Sequence, residues 1–231
     1  MPSERTDGAR ILAPSAPTIL RSARFALSAS ALSGLPSDSL AEVVFAGRSN
    51  SGKSSAINAL TGRRQLARVS KTPGRTQLIN FFALAERAST YLVDLPGYGY
   101  ARVPDATRKN WQHLLTGYLQ TRPQICGLVV IMDIRHPLTV LDAQLLDWFA
   151  PRRKPMLVLL SKADKLSKSG ALEQIRSARK ALNERYDRLS IELFSSVTGQ
   201  GVDRAEAIVC DWLANFGQGA GRIKMPPAQG D

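Results

Sequence analysis

Short apolar runs recur along this chain, separated by longer stretches in which apolar residues return every three or four positions. Val43-Val44-Phe45-Ala46, Tyr91-Leu92-Val93 and Met156-Leu157-Val158-Leu159-Leu160 show no polar alternation, so they read as strands buried on both faces. The pattern predicts strands near 42–46, 77–84, 90–94, 127–132, 156–160 and 190–194, and helices near 53–61, 105–120, 138–149, 169–185 and 202–215. Strands alternating with amphipathic helices imply an α/β domain: a mostly parallel sheet covered on both faces, with ligands at the carboxyl ends of its strands. The short connection between 77–84 and 90–94 makes that pair antiparallel, giving a mixed six-stranded sheet. Residues 1–17 and 217–231 mix Pro, Ser, Arg and Gly without a period and read as mobile tails around a domain spanning 18–216. No internal repeat is visible.

Directly after the first apolar run comes GRSNSGKS, made of Gly47, Arg48, Ser49, Asn50, Ser51, Gly52, Lys53 and Ser54. This is a G-x-x-x-x-G-K-[ST] phosphate-binding loop in its proper strand-loop-helix setting. Its glycines let backbone N–H groups face a polyphosphate, Lys53 supplies a point charge, and Ser54 offers a hydroxyl to Mg²⁺. The helix that follows adds its N-terminal dipole. The fold this implies is a P-loop NTPase.

Two further strand ends narrow the nucleotide. Asp94-Leu95-Pro96-Gly97 places a carboxylate where it can reach Mg²⁺ through water, and Gly97 a backbone N–H that can approach a terminal phosphate. Ser161-Lys162-Ala163-Asp164 has the [NTS]-K-x-D form. An aspartate accepts two hydrogen bonds from guanine N1–H and its exocyclic amine, a donor pair that adenine lacks, while the Lys162 stem can lie along the purine face. Ser195 and Ser196, after the run Ile191-Glu192-Leu193-Phe194, add backbone and hydroxyl groups near the position of guanine O6, and Phe194 is counted with them at the base site. Taken singly, these strings have plain alternatives: an Asp-x-Pro-Gly turn, a solvated helix entry. In this order, each at the end of a strand-like run, they describe a GTPase. An ATPase or kinase would share the first loop but has no use for the other two.

Over residues 19–216 the chain resembles the EngB GTPases of the TrmE-Era-EngA-EngB-septin-like superfamily. The resemblance rests on FAGRSNSGKSSAINAL (45–60), KTPGRTQLINFF (71–82), DLPGYGYA (94–101), DIRHPL (133–138), SKADKL (161–166) and FSSVTGQG (194–201). It implies a Ras-like G domain that binds GTP and GDP, with Thr76 as a switch residue ligating Mg²⁺ beside Ser54, and with Gly74, Arg75, Thr76, Gln77 and Leu78 in a nucleotide-contacting switch. Lys53, Thr76 and Gly97 are then the residues expected to act in hydrolysis. Ser161 departs from the threonine or asparagine expected there but keeps a hydroxyl. The resemblance also implies the large ribosomal subunit as partner and a need for the protein in ribosome assembly, cell division and septation.

Hydrolysis is expected to be slow. Many GTPases place a water-orienting glutamine after D-x-x-G, and here that position is Tyr98, which has no amide. Asn50 stands where related GTPases lacking the glutamine bind K⁺, so a monovalent cation could stand in for an arginine finger; the alternative is an asparagine that only braces the loop. Residues 66–76 and Tyr98-Gly99-Tyr100-Ala101 read as the two switch segments.

The formal net charge of +12 turns attention to a polyanionic partner such as ribosomal RNA. Candidates include Arg63-Arg64, the Arg152-Arg153-Lys154 triplet, and the series Arg176, Arg179, Lys180, Arg185 and Arg188, although a basic surface with no single partner has the same composition. Cys126 and Cys210 lack metal spacing and read as buried free thiols, His113 as packing or surface, and His136 and Asp133 as parts of a strand-to-helix turn without catalytic work. No run is long and apolar enough for a membrane span, and a cytoplasmic monomer is expected. Two functional classes remain open: a slow Mg²⁺-dependent GTPase switch, and a GTP-gated RNA- or ribosome-binding module whose hydrolysis is incidental. A basic RNA-binding protein with a degenerate phosphate loop is disfavoured by the intact Gly52, Lys53, Ser54, Asp94 and Asp164.

Overall fold

Strand β2 (Ala41–Gly47) is buried at every position, and its two faces feed two cores. Val44 and Ala46 join Phe81, Val93, Tyr118, Leu146, Phe149 and Val158 on one side, whereas Val43 and Phe45 join Ile57, Leu60, Leu92, Leu157, Phe194 and Leu213 on the other. A strand with apolar side chains on both faces is stable only between two helical layers. The structure, a computed structural model, describes residues 18–67, 78–99 and 105–216. The expectations for the two tails, for Gly74, Arg75, Thr76 and Gln77, and for Tyr100-Ala101 lie outside those residues.

The described residues build a seven-stranded sheet from β1 (Ala23–Ala29), β2, β3 (Ile79–Leu84), β4 (Thr90–Asp94), β5 (Ile125–Asp133), β6 (Met156–Ser161) and β7 (Leu189–Leu193), in the order β1-β3-β4-β2-β5-β6-β7. The β4, β2, β5, β6 and β7 ladder is parallel, and β3 pairs antiparallel with both β4 and β1. The expected antiparallel pair is therefore present, but the six-stranded count is corrected to seven. β1 was missed because it is an edge strand. Arg24, Phe25 and Ala26 are all exposed, a register shift falls between Phe25 and Leu27, and so no two-residue period develops in ARFALSA.

Helices α1 (Lys53–Leu60) and α5 (Val202–Asn215) contribute Ile57, Leu60, Val209 and Leu213 to one core; α2 (Asp105–Thr121), α3 (Val140–Phe149) and α4 (Lys168–Asn183) contribute Tyr118, Leu146 and Ile175 to the other. The third helix begins two residues later than the periodicity predicts. Leu138 is held at φ +57°, and the Thr139 side chain accepts from Asp142 N while Asp142 accepts from Thr139 N, a reciprocal cap that sets the first helical residue at Val140. At the amino ends of the strands, Glu42 is fully buried and receives hydrogen bonds from Tyr118 Oη at 2.6 Å and from Arg122 Nε and Nη2 at 2.9 and 2.6 Å. That pairing satisfies a carboxylate inside the sheet, far from the ends where ligands gather.

Candidate functional site

The loop from Gly47 to Lys53 turns at the carboxyl end of β2, next to β5. A Cβ on Gly47 would come within 2.6 Å of Ser51 Oγ and 2.7 Å of the Ile131 carbonyl, so the loop closes there only with glycine. Asn50 and Gly52 both take left-handed backbone, at φ +66° and +96°, which curls the chain into the first turn of α1. Gly52 is the N-cap and has no side chain to occupy the leading N–H groups, which leaves them for an anion.

The Asp94–Gly97 turn lies against this loop. Leu95 N donates to Phe45 O at 3.0 Å, Ser49 N to Tyr98 O at 2.9 Å, and Tyr98 N to Gly47 O at 3.3 Å. A Cβ on Gly97 would sit 3.0 to 3.2 Å from three atoms of Ser49. Backbone contact this close means that any shift of Gly97 is felt by the phosphate loop. Lys53 Nζ donates to Asp94 Oδ1, joining two buried groups of opposite charge. The cation assigned to phosphates and the carboxylate assigned to the metal therefore meet at one point. Ser54 lies half-buried in the first turn of α1.

The Ser161–Asp164 segment is bonded to the phosphate loop. Ser161 Oγ contacts the carbonyls of Ser51 and Met132, and Lys162 Nζ donates to Asn50 O at 2.7 Å and to Asp133 Oδ2 at 2.8 Å. Asp164 Oδ1 accepts from Ser195 Oγ at 2.7 Å, and Ser195 Oγ in turn accepts from Val197 N and Thr198 N, each at 3.2 Å. The Ser195 hydroxyl, aided by Lys165, holds the Asp164 carboxyl below the usual carboxylate range and so keeps it an acceptor. Ser195 is thus fully occupied in fixing Asp164, while Ser196 is exposed. Leu95, Ala163 and Phe194 have buried side chains, so any contact they make with a ligand runs through backbone; Phe194 O already accepts from Ala163 N at 3.1 Å. Leu78 is half-buried just before β3.

Four residues have partners that the sequence did not reveal. Tyr98 Oη donates to Asp142 Oδ1 at 2.7 Å, both groups buried, so its side chain points into the α3 side of the core. Burial and the Asp142 carboxylate push its phenol well above the ordinary value, which keeps it neutral. Asp133 accepts Arg135 N at 3.1 Å, as the turn reading expected, but also the Arg135 guanidinium at 2.9 and 2.6 Å and Lys162. Arg135 and then Lys162 hold its carboxyl far below the usual range. Arg152 donates to the carbonyls of Gln120 and Arg122 at the end of α2, and Lys154 lies 4.7 Å from the centre of the Phe216 ring. Of that basic triplet, Arg153 is the exposed member. Cys126 is buried as expected, while Cys210 is only half-buried.

Among the described residues no cluster of three or more His, Cys, Asp and Glu could hold a metal by itself. The donor set present, one hydroxyl at Ser54 and one carboxylate at Asp94, fits Mg²⁺, which keeps waters and takes its other ligands from phosphate oxygens. No helix of the described residues is long and apolar enough to cross a membrane.

A helix N-terminus, an aspartate-glycine turn and a lysine-aspartate loop, bonded together at the switch point of a largely parallel sheet, make this a P-loop GTPase domain of the Ras-like kind. The family described as 50S ribosome-binding GTPase matches residues 42–162, just over half of the chain. The chain belongs to the EngB family of GTP-binding proteins. The probable GTP-binding protein EngB of Methylobacillus flagellatus is 54% identical over 195 residues, covering 84% of this chain and 93% of that protein. That of Nitrosomonas europaea is 51% identical over 220 residues, covering 92% and 98%. A crystal structure of a probable GTP-binding protein EngB superposes with a TM-score of 0.60 at 21% identity, covering 76% of this chain and all of that one, and supports the fold.

Proposed function

We propose that this protein is a Mg²⁺-dependent GTP-binding switch with slow intrinsic hydrolysis that serves assembly of the large ribosomal subunit and, through it, normal cell division and septation. The reading is carried by one observation: the loop bearing Asp164 is hydrogen-bonded to the phosphate loop through Ser161 and Lys162, so base and phosphates are held by one connected unit. Asp164, kept ionised by Ser195, accepts the two guanine donors. Lys53 transfers from Asp94 to the phosphates of an entering nucleotide, which frees the carboxylate to hold a metal-bound water. Ser54 would ligate Mg²⁺ with Thr76, and Gly97 would present its N–H to the terminal phosphate. A bound Mg²⁺ neutralises phosphate charge. Asn50, exposed in the phosphate loop, would accept K⁺ beside the phosphates.

The net charge of +12 and the exposed Arg176, Arg179 and Lys180 on α4 support a polyanionic partner, which we take to be ribosomal RNA in the large subunit. Tyr98 favours a second reading. With its hydroxyl turned to Asp142, it orients no water, and GTP occupancy alone would be the signal. GTP turnover measured with and without large ribosomal subunits, in K⁺ and in Na⁺, tests both. The switch reading expects stimulation by subunits and a higher rate in K⁺. A hydrolysis-blocked GTP analogue that supports complete assembly and release would favour the module, and equal turnover in both salts would remove the K⁺ site.

A further inference from the structure

Asp133 ends β5 and pairs in register with Ser161 at the end of β6, which sets its carboxylate beside the residue that opens the base loop. Its side chain is 18% exposed and makes more contacts than a turn requires. Arg135 alone satisfies both oxygens, through its backbone N–H and Nε on Oδ1 and its Nη2 on Oδ2. The additional bond from Lys162 Nζ to Oδ2 is therefore of use mainly to the lysine. That ammonium also donates to Asn50 O, so two of its three N–H groups are fixed, one toward β5 and one toward the phosphate loop.

The two residues joined in this way, Lys162 at φ +59° and Asn50 at φ +66°, both occupy left-handed backbone that residues with a Cβ adopt only when their surroundings hold them there. With Asp133 removed, Lys162 would keep one acceptor and regain freedom about its four-carbon stem, and both strained residues would lose part of their restraint.

We propose that Asp133 is a positioning residue of the nucleotide site: by gripping Lys162 from the β5 side it clamps the base loop to the phosphate loop and sets the residence time of the bound guanine nucleotide. This rests on the reading of Ser161–Asp164 as the guanine loop. Because base and α/β-phosphates are common to GDP and GTP, the effect falls equally on both, which is uniform binding: KM rises and kcat does not.

The test is stopped-flow release of N-methylanthraniloyl-GDP and of the matching GTP analogue from the full chain, with melting temperature recorded beside it. For a partly exposed charge-assisted contact, Asp133→Ala is expected to speed release of both nucleotides about fivefold. KM should rise by the same factor at unchanged kcat. Asp133→Glu should recover part of the loss, and the isosteric Asp133→Asn, which guards against a folding failure of the alanine variant, should fall between alanine and the native protein. Combined with Lys162→Met, Asp133→Ala should add almost nothing. A folded Asp133→Ala or Asp133→Asn that releases GDP at the native rate, or a fully additive double variant, overturns the proposal while leaving the guanine reading intact. Failure of the native chain to retain a guanine nucleotide overturns that reading and this proposal with it.

Discussion

Replacing Tyr98 by phenylalanine separates two accounts of the residue that follows D-x-x-G. The substitution removes one atom and with it the 2.7 Å hydrogen bond to Asp142 Oδ1. A buried bond to an ionised acceptor is worth about 1.5–3 kcal/mol. Asp142 retains two bonds at 2.8 Å to its other oxygen, from Thr139 N and Oγ1, so the carboxylate is not abandoned and the loss should fall near the lower half of that range, about 2 kcal/mol. For a chain of this size such a loss lowers the melting temperature by about 4–8 °C. Urea unfolding should show an earlier midpoint at unchanged m-value, since the phenylalanine ring fills the same space. GTP turnover at saturating substrate should stay within about twofold of native, whereas removal of a group that stabilises the transition state costs on the order of 10²–10³. A hundredfold fall in turnover with unperturbed stability would show that the hydroxyl works at the phosphates and that the Asp142 contact is dispensable.

Asp164→Asn replaces an acceptor by a donor facing the base and should exchange guanine for xanthine preference; the ratio of GDP to XDP affinities by calorimetry measures this, and an unchanged ratio would place base recognition elsewhere. Arg152→Ala strips a guanidinium from the last carbonyls of α2 and should cost about 1 kcal/mol in urea unfolding without altering RNA affinity, while Arg153→Ala should leave stability alone and flatten the salt dependence of RNA binding by about one unit. Equal salt slopes in the two variants would remove the distinction. Arg135 and Lys162 depress the Asp133 carboxyl, so its stabilisation is complete above the ordinary value of about 3.9 and is lost as pH falls through the lower folded value. The melting difference between native protein and Asp133→Asn should accordingly be flat from about pH 5 to pH 8 and shrink below about pH 4; a difference that varies near neutrality would contradict the ion pairing.

The central strands were legible because burial on both faces leaves an uninterrupted apolar run, as in residues 43–46 and 156–160. β1 carries the opposite signature. It has one neighbour and three successive exposed residues, and its register comes from β3, whose paired residues lie at least fifty positions away in sequence. Local pattern cannot supply that information. The phosphate loop and the S-K-x-D loop were legible for a different reason: backbone geometry and a ligand's donor set restrict which residue types fit, whatever the remainder of the fold does.

The partners that hold those loops in place obey neither rule. Tyr98 and Asp142 are 44 positions apart, Arg152 and Gln120 are 32, and Lys162 and Asn50 are 112. Each residue type is common on surfaces, and each contact is created by the fold bringing helices and loops distant in sequence side by side. A basic triplet was read as one polyanion surface because sequence counts charges, whereas the fold assigns Arg152 to a helix end and Lys154 to an aromatic ring. The same logic makes the Asp94–Gly97 turn more than its motif. Gly97 touches Ser49 of the phosphate loop, and the next residue is tied to the N-terminal cap of α3, so a shift at Gly97 reaches both elements. A movement of Gly97 must then either break the Tyr98–Asp142 bond or carry the start of α3 with it, and the stability cost of Tyr98→Phe measures the energy available for the second course.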